Sequence, residues 1–462
     1  MRFRYALPLA AALLVAACHP YVIKDKFLNR AVRIRRRSAV VNPFGANSAA
    51  THKQAGARCY GLQTRLAGIG WTREVFPWGK MEPELQKPDW SFTNGILEQT
   101  DALGVRLLPV IDQCATWARY DVLAECADKA VQMPNVYHWR NHVRMTVGRY
   151  KDKVEFWEIW NRPDDPAHFA GQHQDYVRLL KAAYGAARGA DPNCVVLMGT
   201  VADAAWLDRA LKLGAANYCD VICVALTAAD TRPASAILTE REPPDTDTVG
   251  GNRKAERTVD ISAKPYSEAQ ELMGIRDQLD RFKVVLENHE VKKPFWITSA
   301  AIRPAPAGLQ ARFLVKLYTT AMAYGANCVF CEDFVSRMNG GVAEGLLYPD
   351  LSRRPAAKAH ALLSKLLAHV VSGRVIADDP GGLTHYEFKA LDEIIQVAWS
   401  AGESAAPLPI GYKQVCDMDG EIRPLTVGEE KTGELIVGKE PIFITAEIIE
   451  QPAWDPYARE LQ

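Results

Sequence analysis

Val154-Glu155-Phe156-Trp157-Glu158-Ile159-Trp160, running into Asn161-Arg162-Pro163-Asp164-Asp165, is the stretch on which the fold turns. Its apolar residues are nearly continuous rather than alternating, as a strand buried on both faces requires. Tyr137 to Tyr150 before it reads as a helix, and Asp175 to Ala190 after it as another, stopped by Asp191-Pro192. The same rhythm extends both ways. Leu66 to Val75 supplies a first strand and its loop, and helix Asn94 to Leu103 leads into strand Val105 to Ile111. Further strands are expected at Val195 to Met198, Val221 to Ala225, Phe295 to Thr298 and Cys328 to Phe330. Helices at Ala204 to Leu213, Glu268 to Asn288 and Leu309 to Tyr324 separate them. Strands alternating with helix-length amphipathic segments specify a parallel βα architecture.

With 462 residues the chain exceeds one ordinary domain. A (β/α)8 barrel of about 250 residues plus a smaller module accounts for it. From about Leu367 the texture changes to short runs: Val375-Ile376, Thr384 to Phe388, Ile394 to Trp399, Ile410 to Val415 and Pro441 to Thr445. These predict a small C-terminal antiparallel β-sandwich, joined near Gly373 to Asp379. Lys+Arg and Asp+Glu number 55 each, so no global field favours nucleic acid.

The N-terminal segment reads separately. Arg2 and Arg4 precede an apolar run from Leu7 to Ala17 that ends Leu14-Val15-Ala16-Ala17-Cys18, resembling a bacterial lipobox with Cys18 as the lipidated residue. Such an anchor tethers an exported domain without a transmembrane helix. His19 follows, where many inner-membrane lipoproteins carry Asp, which tilts the expected location towards the outer membrane, on the periplasmic or cell-surface side. The expected boundaries are residues 1–18 for the signal segment, 19–58 for a basic tether, 59–366 for the barrel and 367–462 for the β domain. Cys114 and Cys126 flank one loop and are the most plausible disulfide couple. Cys328 and Cys331 are three apart in a strand and so face opposite sides, which argues against a shared metal or disulfide. No metal or cofactor is expected.

Several motifs together resemble the retaining glycoside hydrolases of the (β/α)8 clan A, particularly its β-xylosidase and cellulase-like members. They are Trp71-Thr72-Arg73, Trp78, Glu82-Pro83, Asp89-Trp90-Ser91-Phe92, the stretch from Tyr150 to Pro163, and Gly345 to Asp350 with Arg354-Pro355-Ala356. The resemblance implies a W-E-x-W-N-E-P strand carrying the acid/base glutamate and a W-I-T-E strand carrying the nucleophile. Here those positions hold Arg162 and Ser299. The His-Pro-Tyr segment common after the sixth strand reads Ala225-Leu226-Thr227, and the eighth-strand tryptophan position holds Cys331.

Retaining glycosidases need two carboxyl groups about 5–5.5 Å apart. Arg162 is permanently protonated and cannot donate its proton, and Ser299 lacks a nucleophile's charge. The implied reading is a membrane-anchored, non-catalytic glycan-binding or scaffold subunit, with a glycan and protein partners as candidate ligands. Arg73, Trp78, Trp117 and Asn161 are the candidate ligand-binding residues, since indole faces stack on sugars and Asn and Arg bond hydroxyls. The alternative is an active glycoside hydrolase with displaced carboxylates, for which Asp164, Asp165, Glu332 and Asp333 are the candidates. Asp164 and Asp165 can equally cap the turn after the strand.

Overall fold

The computed structural model describes residues 42–48, 57–120, 132–226, 268–301, 307–336, 338–339, 342–343, 345–379, 381–390 and 393–448. Eight parallel strands form the barrel wall: β1 (Phe44–Asn47), β2 (Trp71–Pro77), β3 (Arg106–Asp112), β4 (Phe156–Asn161), β5 (Val195–Thr200), β6 (Ile222–Leu226), β7 (Phe295–Ala300) and β8 (Ala326–Cys331). Their order is β5-β4-β3-β2-β1-β8-β7-β6. The remaining seam closes where Met198 N–H donates to Val221 O at 3.0 Å and Val201 N–H to Cys223 O at 3.2 Å. A cylinder closed in this way leaves no strand edge exposed.

The first strand corrects the sequence reading. Residues 44–47 fall inside the expected tether of 19–58, yet Gly45 pairs with Trp71 of β2 on one side and Phe330 of β8 on the other. The stretch expected as the first strand is the second. Glycine is needed at position 45, because a Cβ there would sit 2.5 Å from the Phe330 ring.

Inside the barrel, side chains stack in layers, as expected for this architecture. The lower layer is aromatic: Trp71 meets Phe156 at 5.2 Å and Trp296 at 5.3 Å between ring centroids, and Phe330 closes the ring. Leu108, Leu197, Cys223 and Cys328 fill the gaps between them. The layer above is polar and belongs to the candidate site. Outside, helices bury one stripe each. Helix His173–Ala190 buries Tyr176, Val177, Leu179, Leu180, Ala183, Ala186 and Ala187, the i, i+3, i+4 recurrence of an amphipathic helix, and Gln172 with Asp175 closes its N-terminus in a capping box.

The last barrel helix spans Pro355–Leu367, after a two-residue hairpin of β9 (Met338–Asn339) and β10 (Val342–Ala343). The C-terminal module then contains β11 (Ser372–Asp378), β12 (Leu383–Lys389), β13 (Glu393–Ser400), β14 (Ser404–Pro407), β15 (Tyr412–Cys416), β16 (Glu434–Val437) and β17 (Ile442–Glu447). The expected junction at 373–379 lies almost wholly within β11. Five strands form an antiparallel sheet ordered β11-β12-β13-β17-β15, and β14 pairs with β16 alone. Ala398, Ala406, Val415, Leu435, Val437 and Ile444 pack between the two sheets.

Cys114, Cys194, Cys219, Cys223, Cys328, Cys331 and Cys416 are buried. Of the expected Cys114–Cys126 couple, Cys126 lies outside the described residues. Cys328 packs in the barrel interior and Cys331 in the outer core, on opposite faces of β8. Cys18 and Thr227 also lie outside the described residues.

Candidate functional site

Strand β4 delivers its side chains to the barrel by a break in alternation. Trp157 packs outward on Phe76, with ring centroids 6.2 Å apart, and Glu158 points inward. Trp160 should then point inward too, but it adopts φ 67°. Its ring lies instead against Trp139 at 5.6 Å and Phe169 at 5.4 Å, and its indole N–H donates to His168 O at 3.0 Å. The next residue, Asn161, is thereby turned to the interior. Gly199 on β5 makes room, since a Cβ there would lie 2.7 Å from both Ile159 O and Trp160 O. Arg162 is left-handed as well, at φ 48°. Each such non-glycine conformation costs about 1–3 kcal/mol and persists only where surrounding contacts impose it.

The polar layer is built on Arg73 and Glu158. Arg73 Nε donates to Glu158 Oε2 at 2.6 Å and Nη2 to Oε1 at 2.7 Å, a bidentate pair with both side chains buried. Arg73 Nη2 also donates to Asn161 Oδ1 at 2.9 Å. Thr200 satisfies the remaining carboxylate capacity, its N–H donating at 3.0 Å and its hydroxyl at 2.7 Å. The Thr200 hydroxyl further contacts that of Thr298 on β7. Burial alone would disfavour the Arg73 charge, but Glu158 outweighs it and holds the guanidinium above its ordinary pKa.

Asp112 ends β3 beside this pair. Burial pushes its carboxyl up to about 7; the Glu158 charge adds to the rise, while Arg73 and the Gln113 N–H, which donates at 2.7 Å, oppose it. Two buried carboxyls thus stand in one layer, Glu158 locked to a guanidinium and Asp112 poised to exchange a proton near neutrality.

Arg162, the position implied for the acid/base, turns away onto its own loop. Its Nε donates to Asp164 Oδ1 at 2.9 Å, and Nη2 comes within 3.8 Å of Asp165. Asp164 is fixed from the other side by the N–H groups of Ala202 and Asp203, at 2.8 and 3.2 Å. Asp165 accepts from Ala167 N–H at 2.9 Å, the turn-capping role foreseen for it. Ser299 is half-buried on β7 in register with Ala225 of β6. Glu332 and Asp333 line a small recess with Cys331, Ala300 and Ala301 at the ends of β7 and β8.

Of the four residues expected to bind ligand, Arg73 and Asn161 meet and are engaged with each other. Trp78 is a correction. It is fully buried, stacked on His142 at 4.7 Å between ring centroids, and its N–H is spent on Glu82 at 2.9 Å. No sugar reaches that face. Trp117 packs edge-on against it at 5.6 Å and donates to Glu82 O at 2.8 Å; its half-buried ring lines an outer groove with Tyr137 and His138. Asp112, Glu158 and Thr200 went unnoticed in the sequence. The readable signal was a lone carboxylate within an apolar strand, which demands a buried cation.

No family model matches the chain, and neither does any curated protein sequence. Solved structures do. A family 39 glycoside hydrolase from the gut symbiont Bacteroides cellulosilyticus WH2 superposes with a TM-score of 0.65 at 18% identity, over 89% of this chain and 82% of that one. A family 30 subfamily 8 xylanase from Clostridium acetobutylicum gives 0.60 at 13% identity, over 88% and 96%. The chain shares the fold of these two hydrolases. A conserved exported protein from Bacteroides fragilis also superposes, with a TM-score of 0.61 at 11% identity over 88% of this chain and 97% of that one. Identities this low establish the fold of the barrel and its β module, and function has to be argued from the site. Among the described residues no helix is long and apolar enough to cross a membrane.

Proposed function

We propose that this chain is an exported, lipid-anchored glycoside hydrolase-like protein that does not hydrolyse glycosides and serves as a binding or scaffold subunit at the cell surface. The observation that carries the reading is the pairing of Arg162 with Asp164. At the strand end where the fold's relatives are expected to place a proton donor, this chain places a cation and ties it to its own loop. A guanidinium there opposes the positive charge that develops on an oxocarbenium-like transition state. Ser299 supplies no charge at the opposing strand. Burial of Trp78 and the commitment of Arg73 to Glu158 favour a protein-interaction role over sugar stacking in the mouth. Lipidation at Cys18 rests on the lipobox resemblance, and the fold shared with an exported protein supports export.

A second reading has one observation in its favour. Asp112, whose carboxyl burial pushes up to about 7, stands in the same layer as Glu158, which is bound bidentately by Arg73, so one of two neighbouring buried carboxyls holds a proton near neutrality. Aryl glycoside assays on wild type, Asp112→Asn and Arg162→Glu/Ser299→Glu separate the two. A non-catalytic protein gives no turnover in wild type or Asp112→Asn. Wild-type turnover abolished in Asp112→Asn sinks the proposal and establishes the displaced pair. Glycan-array binding against pull-down of partner proteins then distinguishes the two non-catalytic roles.

A further inference from the structure

A second cleft lies between the barrel and the C-terminal sheet, with a volume of about 370 Å³, within the usual range for small-molecule sites. Helix Glu268–Asn288 and helix Ala307–Ala323 form one wall, and β12, β13 and Lys439 form the other. Four cations line it, Arg276, Arg312, Lys316 and Lys439, and three carboxylates pair with them: Glu268 with Arg312 and Lys316, Glu440 with Arg312, and Asp378 with Arg276. Glu268 is shared, taking Arg312 Nε at 2.7 Å and Lys316 Nζ at 2.6 Å.

One buried cation is incompletely served. Arg276 is only 5% exposed and spends Nη2 on Asp378 and on the Thr384 hydroxyl at 3.0 Å, leaving its Nε without a hydrogen-bond partner. A buried guanidinium N–H without an acceptor carries a cost that a bound acceptor would remove. Lys316 is 6% exposed, and burial pulls its ammonium below its ordinary pKa although Glu268 works the other way. Its Nζ lies 5.6 Å from the Trp399 ring, which adds an aromatic surface to the cationic wall. Lys439 stands exposed at the rim.

We propose that this cleft binds an oxyanion (a carboxylate, phosphate or sulfate group) carried on a body about the size of one sugar ring. The unpartnered Arg276 Nε–H donates to the oxyanion, the exposed Lys439 ammonium adds charge at the rim, and the space between them holds the body. The site is independent of the barrel mouth, so it stands whether or not the protein hydrolyses anything. Isothermal titration of the purified chain with glucuronate, glucose 6-phosphate, inorganic phosphate and glucose tests it. The anions bind, glucose does not, and affinity falls as salt is raised. Tighter binding of the sugar anions than of phosphate identifies a sugar acid or sugar phosphate; equal binding identifies the free anion. Arg276→Gln abolishes the heat. Because Arg276 also holds Asp378, Lys439→Ala serves as the variant that disturbs no buried pair, and it weakens binding several-fold. Absence of heat with every anion, or Lys439→Ala titrating like wild type, overturns the proposal.

Discussion

Asp112 concentrates the electrostatic tension of the barrel in one carboxyl. Its pKa of about 7 in the fold compares with 3.8 when exposed, so the folded chain retains a proton that the unfolded chain has already released. Stability from this group is fully present below about pH 3.8 and is lost as pH rises through about 7. At about 1.4 kcal/mol per unit, the loss is of order 4 kcal/mol. Asp112→Asn keeps the size and removes the titration, so its stability should be flatter across that interval and exceed wild type at pH 8. Urea denaturation of both proteins at pH 5 and pH 8 measures this, and parallel pH profiles would refute it. His360 contributes in the opposite direction. Burial lowers it to about 4, so the unfolded chain takes up protons first on acidification and stability falls between about 6.5 and 4. The Asp112→Asn comparison cancels that background, because His360 is common to both proteins.

At the scale of elements, the site depends on the β4–β5 pair, where the left-handed Trp160 meets Gly199. An alanine at 199 would push its Cβ to 2.7 Å from two carbonyl oxygens, so Gly199→Ala should cost roughly 1–3 kcal/mol. Gly185→Ala is the contrast. Gly185 lies in helix His173–Ala190 with nothing within 4 Å of the added carbon, and the change should stabilise by about 0.5–1 kcal/mol. Thermal melts of the two variants check both signs. The contrast also shows what was legible beforehand. Strands made of continuous Val, Ile, Phe and Trp announced themselves by composition, as β4 and β7 do. Strand β1 is Phe-Gly-Ala-Asn, four residues behind a basic stretch, and its pairing with β2 and β8 is a long-range fact that no local pattern carries. Strands β14 and β16 escaped for the same reason, being four-residue partners of each other only. The inward turn of Asn161 depends on a backbone angle two residues beyond Glu158, whereas the missing carboxylates at 162 and 299 were visible as residue types.

Across the whole molecule, the barrel and its β module are joined by helix Ala307–Ala323, every described residue of which from Gln310 to Ala323 except Arg312 is buried. One face serves β8. The other meets the C-terminal sheet, where Thr320 donates to the Tyr386 hydroxyl at 3.3 Å and Tyr324 donates to Asp378 at 2.9 Å. Arg276 pairs with the same Asp378, so β11 is held by two barrel helices at once. A helix buried on all sides cannot stand at a surface when one neighbour is removed. A chain ending at residue 371 should therefore lose its cooperative melting transition and elute as aggregate in size-exclusion chromatography, while the full chain unfolds in a single step. Persistence of a sharp transition in the truncated barrel would mean the module is an independent appendage, and the cationic cleft between the two would then lack the rigid walls that anion binding requires.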